Sequence, residues 1–157
     1  SNIMKKVVSL VLALAMVMSL AISSAAAVEI SDGPVEVIVD GTTIVIGGEQ
    51  PSVMPRYTGY TLLNVTKNAN EDLDTTFRCR SAYGNKCDVT LQNNGTSDLL
   101  VEMMDGQYAQ VVSPGTTEVI PIETTDGSAL QVTVDIQVQA FGNPSGTYTV
   151  TAVQYQT

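Results

Sequence analysis

The 157 residues contain no histidine and no tryptophan, and each absence removes a class of function. Without an imidazole there is no Ser-His-Asp or Cys-His nucleophile arrangement and no imidazole ligand for a metal. Without an indole, a sugar-stacking platform has to rest on tyrosine. Cations are scarce: seven Lys and Arg stand against sixteen Asp and Glu, a net charge of −9. Such a surface repels nucleic acid and anionic lipid, because binding either one means neutralising phosphates with basic groups. Carboxylate-only enzymes pass this filter, but nothing in the pattern sets two carboxylates on convergent strands. The chain is expected not to be an enzyme.

Long apolar runs are missing as well, with one exception. Met4-Lys5-Lys6 is followed by VVSLVLALAMVMSLAI and then by Ser23-Ser24-Ala25-Ala26-Ala27. A basic start, an apolar stretch and small residues in an A-x-A arrangement spell a secretory signal peptide over 4–27, cut after Ala27. The run from Val7 to Ile22 is shorter than the roughly 20 residues of a spanning helix, and no basic stop-transfer cluster follows it. Residues 1–3 read as an expression remnant. Residues 28–157 are then expected to form one exported domain, long enough for a hydrophobic core. It would have no membrane attachment once the leader is removed.

Within that domain the apolar residues recur with period two, the signature of half-buried strands. VEVIVDGTTIVI (35–46) centres on Asp40-Gly41, a two-residue hairpin signal that pairs Val39 with Thr42, Val37 with Ile44 and Val35 with Ile46. Residues 47–55 read as a connector and 57–66 as a strand. A second hairpin spans 98–112 about Asp105-Gly106. The strand before Ile122 looks like an edge, because Pro121 has no N–H for a ladder. LQVTVDIQVQ (130–139) alternates throughout, and the last strand follows the turn at 142–146. Short strands with regular turn signals predict an all-β fold, a single antiparallel sandwich.

Two cysteines, Cys79 and Cys87, are the whole sulfhydryl inventory. An exported protein usually pairs its cysteines. A three-residue loop at Ala82-Tyr83-Gly84 would place Cys79 opposite Cys87, Phe77 opposite Val89 and Arg78 opposite Asp88 within one hairpin. That spacing suits a disulfide, and closing so short a loop adds about 2–3 kcal/mol by chain entropy. A redox pair would normally be C-x-x-C, and a zinc site needs more ligands than two.

The half from Cys87 onward, residues 87–157, resembles a family pattern. VTLQNNGTSDLLVEMMDG followed by VVSPGTTEVIPI is similar to the N-x-G … P-G-x-x-x-x-V-x-I arrangement of bacterial exported immunoglobulin-like modules, and SGTYTVTAV resembles their last strand. The resemblance implies an immunoglobulin-like sandwich that acts as a spacer, adhesive stalk or binding domain without catalysis. The partner would be a protein or an extracellular polymer at the cell surface. A small-ligand or carbohydrate-binding sandwich is the alternative.

Two clusters invite chemistry. Asn68, Asn70, Asp72 and Asp74 offer oxygens at alternate positions, which could converge on calcium; the glycine and glutamate of an EF-hand loop are replaced by Leu73 and Cys79, and a solvated acidic loop explains the same letters. No other cofactor is expected. Six tyrosines (57, 60, 83, 108, 148 and 155) could line a ligand surface, although strand tyrosines more often pack on the core. Met103 and Met104 are neighbours and therefore point to opposite faces of a strand.

Overall fold

The computed structural model describes residues 28–49 and 59–157. The expected signal peptide at 4–27, the remnant at 1–3, most of the 47–55 connector and Tyr57 lie outside the described residues. The chain divides into two compact units, 1–30 and 31–157, and all the described strands belong to the second.

Among the described residues ten strands make two antiparallel sheets: β1 (Val35–Val39), β2 (Thr42–Ile46), β3 (Tyr60–Asn68), β4 (Leu73–Cys79), β5 (Lys86–Gly95), β6 (Leu99–Met103), β7 (Tyr108–Val112), β8 (Thr117–Thr124), β9 (Val132–Ala140) and β10 (Gly146–Tyr155). The six-stranded sheet has the order β1-β2-β8-β5-β10-β3, and the four-stranded sheet β4-β9-β6-β7. The described residues hold no α-helix, only a short 3₁₀ turn at Ser81–Tyr83. This is an all-β sandwich.

Local chemistry explains the hairpins. Asp40 (φ 49°) and Gly41 (φ 81°) take the two positive-φ positions of a tight turn that matches strand twist. The resulting pairs are Val39 with Thr42, Val37 with Ile44 and Val35 with Ile46, as the alternation predicts. Asp105 and Gly106 do the same for β6 and β7, pairing Met103 with Tyr108. Inward residues of both sheets meet in one core: Val37, Ile44 and Ile46 from the first hairpin, Val89, Leu91, Ile120 and Val150 from the central strands, and Phe77, Val134, Ile136 and Val138 from the opposing sheet. Leu130, just ahead of β9, is fully buried with them.

Two expectations are corrected. Strand β8 is not an edge, since it lies between β2 and β5. A strand residue points its N–H and C=O to the same side, and the Pro121 carbonyl accepts from Gly47 N–H at 2.9 Å. The missing N–H therefore faces the point where β2 ends and takes nothing from the β5 ladder. The second correction concerns the cysteines. β4 pairs with β9 alone, matching Cys79 to Val132, Phe77 to Val134 and Arg78 to Thr133. β5 pairs with β8 and β10, matching Cys87 to Ile122 and Gln154. The chain between them is an arch from one sheet to the other. Its apolar alternation is the same as a hairpin's, because Phe77, Cys79, Cys87 and Val89 face the core in either case. Alternation marks the face and leaves the hydrogen-bonding partner open.

Candidate functional site

At the arch end of the sandwich, Cys79 and Cys87 meet across the core. Both are 0 % exposed and unbonded to each other in this structure. The Cys87 thiol donates a hydrogen bond to the Cys79 sulfur, and that bond together with burial holds it far above its ordinary range. Beside them lies Gln154, also fully buried. Its amide nitrogen donates to the carbonyls of Arg80 (2.8 Å), Gly84 (2.9 Å) and Leu130 (2.9 Å), and its oxygen accepts from Arg80 N–H at 2.9 Å. One side chain on β10 thus satisfies the backbone of the arch and of the segment entering β9. Gly84 passes so close to β10 that a Cβ there would strike the Tyr155 carbonyl, and its φ of 128° suits glycine alone. On the outer side of the sheet, the Tyr155 hydroxyl donates to both carboxylate oxygens of Asp88, at 3.3 and 3.2 Å.

The far end has a matching hub. Asn93, 0 % exposed, donates from its side chain to the carbonyls of Ser97 and Val112, both at 2.9 Å, and accepts from Gly95 N–H at 2.9 Å. Its backbone carbonyl takes Gly115 N–H and its own N–H reaches the Thr116 carbonyl. The Asn93-Asn94-Gly95 and Pro114-Gly115 letters of the sequence pattern therefore belong to one hydrogen-bonded corner. Neither hub is a reactive centre. Every atom of both amides is committed to backbone.

The calcium candidates run along the connection from β3 to β4. Asn68 closes β3 in the six-stranded sheet and Asn70 sits in the turn that follows. Asp72 and Asp74 line an open depression of about 130 Å³ with Glu102, Gln137 and Gln139 of the four-stranded sheet. Burial raises Glu102 above the usual carboxylate range. Among the described residues, no three acidic or cysteine side chains gather as metal ligands. The tyrosines divide. Tyr108, Tyr148 and Tyr155 are buried, and burial pushes Tyr148 up to about 12 while its hydroxyl donates to the Glu71 carbonyl at 2.7 Å. Among the described tyrosines only Tyr60 and Tyr83 remain open, stacked at 4.0 Å with an interplanar angle of 11°. Met103 is fully buried and Met104 nearly so.

The outer face of the six-stranded sheet escaped the sequence reading. Across its central strands one row runs Asn64, Thr151, Thr90, Val119 and the next Thr66, Thr149, Gln92, Thr117; Asn68, Thr147 and Asn94 begin a third. All are exposed or half-exposed, and Thr66 and Thr149 share a hydroxyl hydrogen bond at 2.9 Å. No charge interrupts these rows, although the chain carries −9. The alternation Thr147-x-Thr149-x-Thr151, with Tyr148, Val150 and Ala152 buried between, was the available signal. No family model, curated protein or solved structure matches this chain.

Proposed function

We propose that this chain is a non-catalytic, exported interaction module of immunoglobulin-like type, which docks an extended partner on the outer face of its six-stranded sheet. The observation that carries this reading is the uncharged hydroxyl and amide grid. A broad sheet face presenting Thr, Asn and Gln in register suits a long, regular and neutral surface such as an extracellular polymer or a protein face. The leader-like N-terminus supports secretion or display at the cell surface. The two-sheet architecture supports the immunoglobulin-like type. The cysteines here sit on consecutive strands, β4 and β5, rather than on the B and F strands of antibody domains, so the likeness lies in the layers and turns.

The test is cosedimentation with a panel of insoluble neutral polysaccharides and one anionic polysaccharide, alongside immobilised matrix protein. Saturable retention on a neutral polymer or on protein, lost when Thr149 and Thr151 are replaced by Lys, supports the reading. Retention that is unchanged by those replacements overturns it. A second reading rests on Tyr60, 49 % exposed and stacked on Tyr83: an aromatic face of this kind can stack a single sugar ring. Binding of free oligosaccharides that disappears with Tyr60→Ala and survives the Thr149 and Thr151 replacements would favour the small-ligand module.

A further inference from the structure

We propose that Cys79 and Cys87 become joined by a disulfide that ties the two sheets of the sandwich together, and that the bond is made before the sandwich closes. The placement is the argument. Cys79 belongs to the four-stranded sheet through Val132, and Cys87 to the six-stranded sheet through Ile122 and Gln154, so the bond would cross the core rather than bridge two neighbouring strands. Both residues are 0 % exposed and face each other. Two buried thiols in contact, with no metal-binding group gathered about them among the described residues, need no rearrangement of the fold to be joined.

Timing follows from the same burial. Disulfide formation proceeds by attack of a thiolate on an oxidant disulfide, which means that the oxidant must reach sulfur and the thiol must lose its proton. In the closed sandwich neither condition is met, because the pair is covered and the Cys87 proton is held by Cys79 and by burial. In the open chain both are met. One cysteine thiolate displaces half of a small-molecule disulfide or of a thiol–disulfide oxidoreductase, giving a mixed disulfide and one free thiol from the oxidant. The second cysteine, as its thiolate, then displaces the other half. The products are the Cys79–Cys87 bond, two thiols on the reduced oxidant and no net change in electrons. The supply of oxidant in the cell rests on the exported reading above; the chemistry of the pair does not, and it can be tested without a cell.

The experiment uses the full chain, reduced and unfolded, then refolded with or without oxidised glutathione. Intact mass and mapping of unreduced peptides read the result, because trypsin cuts after Arg80 and Lys86 and so separates the two cysteines. Refolding with the oxidant is expected to give a monomer lighter by two hydrogen atoms, with the Cys79 and Cys87 peptides linked. Adding the same oxidant to protein already folded reduced should form the bond about a hundredfold more slowly. The oxidised fold should also resist dithiothreitol until denaturant is added. Free thiols after oxidative refolding, a bond between chains, or equally fast oxidation of the folded protein would each overturn the proposal. Cys79→Ala with Cys87→Ala gives an independent reading: its melting temperature should match the reduced protein and lie below the oxidised one, and equality of all three would count against the bond.

Discussion

The two outer faces of this sandwich are built on the same alternation and carry opposite characters. On the six-stranded sheet the rows through Thr90, Gln92, Thr149 and Thr151 are free of charge. On the four-stranded sheet the corresponding outward positions include Asp74, Glu102 and Asp135, with Arg78 hydrogen-bonded to Thr133 at 2.8 Å. A face richer in carboxylates than in cations resists the approach of another acidic surface, whereas a neutral hydroxyl and amide face loses little on approach to another neutral surface. On the reading proposed above, the acidic face meets water and the neutral one meets the partner.

The largest expected effect comes from what stands behind the neutral face. β10 presents Thr147, Thr149 and Thr151 outward and Gln154 inward. Gln154→Leu would take away the side-chain donor of the Leu130 carbonyl and the acceptor of the Arg80 N–H, while the Arg80 and Gly84 carbonyls keep backbone donors from Tyr83 and Leu130, and should cost about 3 kcal/mol in chemical denaturation. Partner binding should weaken with it. A loss below about 1 kcal/mol would show that the amide is not the tie between β10 and the arch. Second in size is an alkaline effect. Tyr148 lies inward between two of the grid threonines, and its folded value of about 12 exceeds the ordinary 10. Its contribution is complete below pH 10 and is lost as the pH rises through about 12. Melting curves across that window should fall less steeply for Tyr148→Phe than for the parent chain, and parallel curves would contradict the assignment.

The acidic face should respond weakly. Glu102 is raised by burial, so its protonated form is the one the fold prefers, and its contribution is present in acid and lost as the pH rises past the carboxylate range. Glu102→Gln should therefore gain stability at neutral pH and not in acid, within about 0.5 kcal/mol at this half-exposed position. The smallest effect is expected from calcium. Since no three acidic side chains gather as ligands among the described residues, millimolar calcium should leave the melting temperature where a chelator leaves it. A clear rise would show that the four oxygens converge in solution.

Much of this fold was legible in the sequence, for reasons that can be located. Asp40-Gly41 and Asp105-Gly106 set register because a tight turn allows only one pairing of its flanking residues. The inward run from Val132 to Val138 was readable because one face must be buried. The arch between Cys79 and Cys87 was misread as a hairpin because the alternation is identical in both. What distinguishes them is Gln154, about 70 residues later in the chain, and a hydrogen bond over that distance leaves no local trace. The hub at Asn93 is short-ranged, and its asparagine and glycines were visible as a pattern before they had a physical meaning. The neutral grid went unseen because it is assembled across β3, β10, β5 and β8, whose order no single strand specifies.

The central claim, that the uncharged face rather than the acidic one engages the partner, is tested most directly by a matched pair of charge insertions. Thr149→Lys with Thr151→Lys places two cations on the neutral rows, and Asp74→Lys with Gln137→Lys places two on the opposite face. Binding isotherms on the neutral polymer or protein that retains the parent chain should show affinity falling about tenfold or more, roughly 1.4 kcal/mol, for the first pair and staying within about twofold for the second. Loss of affinity confined to the Asp74 and Gln137 pair would place the interface on the other sheet and contradict the account.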